Sequence, residues 1–234
     1  APGFFSIHPV EYEKPEEDIL LLDATFLSTT PEATMFVPSY ASWLEQTDQS
    51  PAYAYLVKLL KYLQYQRPGK RWVLKSPHHM EFPDLAKKHF KDVHYIWTHR
   101  NIAESLPSFL SMVAHSQTIF SDQVSLDRVA KHWVRKTGYM LSKGIQFRKE
   151  NPKEKYTDVM YPQLIASPMS VLEDIYRFDA SIQENLLARF KETEQQNKQY
   201  KYGKHTYKLE DFGIRQENIN EVVNVYNEFL NTLK

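Results

Sequence analysis

Cysteine is absent from this 234-residue chain, which excludes disulfides and thiolate metal sites. Neither sign of charge is in excess: Lys plus Arg and Asp plus Glu both number 29, so the formal net charge is zero. That balance gives no global basic field for nucleic acid or an anionic membrane, and any attraction for an anionic ligand has to be local. No apolar run approaches the ~18 residues of a membrane span. The opening APGFFSIHPVEYEKPEED is not the basic-then-apolar pattern of a signal peptide. An initiator methionine is also lacking, so a natural beginning upstream of Ala1 is expected. Glycine is scarce, with six residues at positions 3, 69, 138, 144, 203 and 213. None forms a phosphate loop, and the absence of a GxxxxGK run argues against a kinase or NTPase.

What is present is concentrated between Arg71 and Ser111, RWVLKSPHHMEFPDLAKKHFKDVHYIWTHRNIAESLPSFLS. The pattern predicts strand, turn, helix, strand, turn, helix, with a polar cluster at the end of each strand. Trp72-Val73-Leu74 reads as the first strand and delivers Lys75, Ser76, His78 and His79. Val93 to Trp97 reads as the second and delivers Thr98, His99, Arg100 and Asn101, with Ser108 eight residues past the arginine. In open α/β sheets, ligands bind outside the carboxyl ends of parallel strands. Two strand ends carrying cations, imidazoles and hydroxyls therefore point to an anionic ligand.

The rest of the chain supports one α/β domain over residues 1–234, with 42% hydrophobic content. Helices are predicted at roughly 15–28, 38–46, 51–66, 125–149, 168–178, 181–195 and 215–232, and a third strand at Lys155 to Tyr161. The order is helices, then β-α-β-α-α-β, then helices, which right-handed crossovers would fold into a short parallel sheet flanked by helices.

At the first strand end, Ser76-Pro77 favours an extended turn that holds Lys75 at the strand mouth. Taken alone, Lys75 is equally a solvated lysine, and His78 and His79 are equally partly exposed histidines at a helix start. A neutral imidazole is also a suitable general base, and neighbours about 100° apart on a helix leave only one of the two facing a site. Arg100 precedes a helix start at Asn101, where a guanidinium fork beside free N–H groups suits a phosphate monoester. Ser108 reaches the same ligand only if the ligand lies along the helix; otherwise it is a small residue at a helix contact. Pro107 just before it is expected to disturb the helix.

These residues together, Lys75-Ser76-Pro77-x-His79 followed by Thr98-His99-Arg100-Asn101 and Ser108, resemble the PAPS-dependent sulfotransferases, in particular the bacterial-type branch with K-S-P-x-H. Ile7-His8-Pro9 with Pro15-Glu16-Glu17, Tyr161 in DVMYPQLIASP, and GKHTYKLEDFG from Gly203 to Gly213 are similar to further segments of that branch. The chain can be laid on the last two thirds of the family's domain. The resemblance implies a P-loop-NTPase-like sulfotransferase fold and transfer of a sulfuryl group from PAPS (3′-phosphoadenosine 5′-phosphosulfate) to a hydroxyl or amine acceptor. The acceptor would be a small molecule, lipid or sugar, and the product adenosine 3′,5′-bisphosphate. Arg100 and Ser108 would hold the 3′-phosphate, Gly203, Lys204 and His205 would close over it, and Tyr161 would sit near the adenine. Lys75 would contact the transferring group and His79 would be the base, with His78 as the fallback. The cytosolic supply of PAPS implies a cytoplasmic enzyme.

One departure from the family is plain. Its Gly-rich 5′-phosphosulfate loop after the first strand is not in this sequence. The expected fold is therefore one lacking its first strand and phosphate loop, with that piece upstream in the parent protein. Two alternatives stay open at this point. One is a degenerate, non-catalytic member of the fold; the other is a metal-dependent hydrolase using His78, His79, His94 and His99. Glu16 and Glu17 are alternative bases or ordinary first-turn carboxylates.

Overall fold

The computed structural model describes residues 14–69, 71–177, 184–196 and 207–233. Among the described residues the order opens with α1 (Ile19–Asp23), α2 (Thr30–Thr34), α3 (Pro38–Gln46) and α4 (Ser50–Gln66). A 3₁₀ turn, Pro77–Met80, and α5 (Pro83–His89) lead into β1 (His94–His99). Next come α6 (Ile102–Gln117), α7 (Leu126–Glu150), β2 (Lys155–Met160), α8 (Tyr161–Ala166), α9 (Pro168–Tyr176) and α10 (Glu184–Gln196). Two 3₁₀ turns, Leu209–Phe212 and Gln216–Asn218, precede α11 (Asn220–Asn231). The fold is α/β: a short parallel sheet flanked by helices.

Strands β1 and β2 pair in parallel, His94 opposite Lys155 through His99 opposite Met160. Their connection runs through α6 and α7, since parallel neighbours cannot be joined by a tight turn. The strands are rich in aromatic and β-branched residues, and Tyr95 stacks on its register partner Tyr156 at 5.5 Å between ring centres. Helix α7 packs beneath them, burying Val129, Ala130, Trp133, Leu141, Ile145 and Phe147 at helical spacing. Gly144 marks the closest approach, because a Cβ there would lie 3.1 Å from Trp97 and 3.2 Å from Met80.

Three expectations are corrected. Trp72-Val73-Leu74 is not a strand. Leu74 packs against the cluster of Leu22, Leu56 and Leu60, but Val73 is 71% exposed and the segment has no ladder partner among the described residues. β-propensity without a neighbouring strand gives extended chain and nothing more. The helix expected over 15–28 shrinks to Ile19–Asp23, because the Thr25 hydroxyl donates back to the Leu22 carbonyl and Phe26 takes a left-handed φ of 57°. Pro107 does not interrupt α6, which runs through it with the ring buried.

Charge inside the core was not foreseen. Lys136 of α7 has no solvent exposure and meets Glu81 at 2.9 Å, Glu45 at 3.0 Å and Glu32 at 3.3 Å. Glu32 also meets His132 at 2.6 Å, and Arg135 grips Glu45. The network ties α2, α3 and the turn after Met80 to α7.

Candidate active site

The 3₁₀ turn Pro77–Met80 carries the first group of candidates. Ser76 is extended (φ −157°, ψ 142°), as a residue before proline should be, and its Oγ accepts the His78 N–H at 3.1 Å. The two histidines that follow have opposite fates. His78 is fully buried, its ring 4.9 Å from that of Phe82. Burial, with the neighbouring His79 adding to it, pushes its pKa down to about 3. The fallback role given to His78 is therefore corrected: it is a neutral core histidine with no face toward solvent.

His79 keeps 20% side-chain exposure. Its Nε2 lies 2.7 Å from Asp18 Oδ2, and its Nδ1 lies 2.7 Å from the Tyr53 hydroxyl. Burial works against the Asp18 carboxylate, but the hydrogen bond and charge of His79 outweigh it and hold the pKa below the usual value. An ionised Asp18 accepts from Nε2–H. Tyr53 is fully buried, and burial raises its pKa well above the ordinary phenol value, so it remains a hydroxyl able to donate to Nδ1. Lys75, 73% exposed, pairs with Glu17, one residue from Asp18. The stretch Glu17-Asp18 thus engages both residues expected to do the chemistry. Asp18 begins α1 but caps none of its N–H groups, because its carboxylate is turned to His79 instead.

The second group lies where the parallel strands end. β1 and β2 finish in register at His99 and Met160, so the residues that follow, Arg100 and Tyr161, meet there. The Arg100 guanidinium lies over the Tyr161 ring, 4.5 Å from its centre. Arg100 also reaches Glu104 at 4.0 Å, and Asn101 caps α6 by accepting the Ala103 N–H at 2.9 Å. Ser108 is exposed on α6. The two groups share packing: Met80, next to His79, and Ile102, two residues past Arg100, join Trp97 against the cluster of Leu141, Ile145, Tyr226 and Phe229. Gly203, Lys204 and His205 lie outside the described residues.

The histidines of the metal-hydrolase alternative have separate settings. His94 bonds Thr157 at 2.8 Å, and His99 lies between Tyr226 and Asp158. Among the described residues, no group of three His, Asp or Glu side chains is arranged to hold a metal ion. No helix among them is long and apolar enough to cross a membrane. The sequence did not tie Asp18 or Tyr53 to His79; the signals were the carboxylate run at Glu16-Glu17-Asp18 and the place of Tyr53 among aromatics that could line an acceptor pocket.

Comparison with known proteins follows this geometry. Sulfotransferase STF1 from Mycobacterium tuberculosis H37Rv is similar over 92% of this chain and 56% of its own, with 28% identity and a TM-score of 0.79. Sulfotransferase STF9 from Mycobacterium avium, at 22% identity, shares the fold with a TM-score of 0.83 over 92% of this chain and 55% of its own. The chain thus spans about half the length of these solved relatives. No curated protein matches it. The profile of the sulfotransferase family matches residues 2–179, which contain both strand ends and every described candidate side chain, and the chain belongs to that family.

Proposed function

We propose that this protein transfers a sulfuryl group from PAPS to a hydroxyl or amine acceptor, within a single domain of which these residues form the larger part. The observation that carries the reading is the register of β1 and β2, which brings Arg100 onto Tyr161 beside the N-terminus of α6. A guanidinium, an aromatic face and a helix N-terminus at one strand end suit a nucleotide with a phosphate monoester. In this reading Arg100 and Ser108 hold the 3′-phosphate and Tyr161 lies along the adenine. Lys204, flanked by Gly203 and His205, covers the phosphate.

At the turn Pro77–Met80 and the residues just before it, Lys75 leaves Glu17 to contact the sulfuryl oxygens, and His79 serves the acceptor. The acceptor oxygen forms a bond to sulfur as the bond from sulfur to the 5′-phosphate oxygen breaks, so adenosine 3′,5′-bisphosphate departs with that electron pair. The acceptor proton goes to His79. With Asp18 on Nε2 and Tyr53 on Nδ1, one partner has to yield, and Asp18 is the one nearer solvent. An acceptor on Nε2 shifts the ring proton to Nδ1, where the Tyr53 oxygen accepts it.

The test is release of adenosine 3′,5′-bisphosphate from PAPS, followed by chromatography across phenol, sterol, sugar and amine acceptors. His79→Ala should lower kcat by about 10²–10⁴-fold, the usual worth of general base catalysis. Absence of release with every acceptor would overturn the reading.

A further inference from the structure

Behind Arg100 runs a chain of buried and half-buried polar groups that the transfer reaction does not use. His99 is 2% exposed; its Nε2 lies 2.9 Å from Asp158 Oδ1 and its Nδ1 lies 2.7 Å from the Tyr226 hydroxyl of α11. Arg148 clamps Asp158 with both guanidinium nitrogens, one of them at 2.6 Å from Oδ2. His99 ends β1 and immediately precedes Arg100. These contacts have one consistent direction. Arg148 donates to Asp158, His99 Nε2–H donates to Asp158, and the Tyr226 hydroxyl donates to His99 Nδ1. Every member of the chain is satisfied when His99 carries its proton on Nε2 alone.

The apolar surroundings hold the chain in place. Trp97 stacks on His99 at 5.2 Å and on Phe229 at 5.1 Å, while Tyr226 and Phe229 are buried in the cluster beneath β1. Polar groups in apolar surroundings are unfavourable unless each is matched, so the arrangement fixes one residue, His99, immediately before Arg100. The placement of His99 sets the direction in which the chain leaves the strand end, and with it the guanidinium that lies over Tyr161 at 4.5 Å.

We propose that Tyr226 and His99 are positioning residues for Arg100, so that α11, which lies beyond the residues matched by the family profile, is part of the nucleotide site. The inference rests on the reading of Arg100 as the 3′-phosphate anchor and adds how its orientation is held. A His99 released from Tyr226 would let the neighbouring guanidinium swing toward Glu104, 4.0 Å away, and lose its aim at the phosphate.

The experiment is calorimetric titration of the protein with adenosine 3′,5′-bisphosphate and, separately, with adenosine 5′-phosphate, giving the preference for the 3′-phosphate. In Tyr226→Phe this preference should fall by up to about tenfold, the scale of one hydrogen bond, while adenosine 5′-phosphate binds as before. His99→Gln keeps an amide N–H for Asp158 but removes the acceptor for Tyr226, and should show the same loss if Tyr226→Phe does not fold. Phe229→Leu, which loosens α11 without touching the polar chain, should lower the melting temperature and leave the preference intact. If the wild type shows the preference and both polar variants keep it, the positioning role is overturned. A wild type with no preference overturns the phosphate-anchor reading, and the positioning role with it.

Discussion

At His79 the imidazole has no nitrogen to spare, with Asp18 on one side and the buried Tyr53 hydroxyl on the other. Such a ring is oriented and limited to defined proton positions, which a base working at one angle requires. On the proposed roles, Asp18→Asn should lower kcat on the order of 10²-fold while leaving the KM for PAPS unchanged, because the carboxylate touches the His79 imidazole and not the proposed donor site. Steady-state kinetics check this, and an equal rise in KM would show that Asp18 supports the donor site instead. Lys75, His79, Arg100 and Tyr161 could be singled out from the sequence, since each follows a recognisable run and a turn. Asp18 and Tyr53 could not, because they lie 61 and 26 residues from His79. Only the packing of α1 and α4 beside the turn Pro77–Met80 brings them together. The separation of His78 from His79 was half legible: helical geometry says that one faces inward, but which one depends on Phe82 and Tyr53.

Among the elements, helix α7 sets the distances. Gly144→Ala gains about 1 kcal/mol of helix propensity. It also crowds Trp97 and Met80 at 3.1 and 3.2 Å, and overpacking costs about 1–3 kcal/mol. Net destabilisation is expected on urea unfolding. Gly138→Ala meets a single Val222 methyl at 3.1 Å and should be the better tolerated of the two. Lys136→Met should cost about 3–5 kcal/mol, since it leaves Glu32, Glu45 and Glu81 buried without their common cation. Helix positions were readable because their apolar period and proline starts are local properties, as at Pro38–Gln46 and Ser50–Gln66. The segment Trp72-Val73-Leu74 has equally strong local preference and is not a strand, because pairing depends on a neighbour that local sequence does not supply. The Lys136 network was hidden for the same reason: each charge looks like a solvated helix residue until α2, α3 and α7 meet.

For the whole molecule, two carboxylates, a partly buried one and a fully buried one, impose opposite pH trends. Burial acts against Asp158, but hydrogen bonds from His99 and Arg148 bring its pKa down to about 2. Its contribution is therefore present above the ordinary value near 3.8 and is lost as pH falls toward 2. Burial pushes Glu81 up to about 7 despite Lys136, so its contribution is present below about 4.5 and is lost as pH rises through 7. Melting temperature should fall steeply between pH 4 and 2, and Asp158→Asn should flatten that fall. Glu81→Gln should gain on the wild type between pH 4.5 and 7, by up to about 3 kcal/mol at 1.4 kcal/mol per unit. A wild-type melting profile that is level across both windows would contradict this account.

The central claim is that the register of β1 and β2 builds a nucleotide site around Arg100. Its most direct test is the thermal shift produced by adenosine 3′,5′-bisphosphate in the wild type and in Arg100→Ala. A ligand that binds only the folded state at 100 times its Kd stabilises by about 2.7 kcal/mol. The account predicts a clear upward shift in the wild type that Arg100→Ala largely abolishes, while the unliganded melting temperatures of the two proteins stay close. No shift in the wild type, or an equal shift in both proteins, would contradict it.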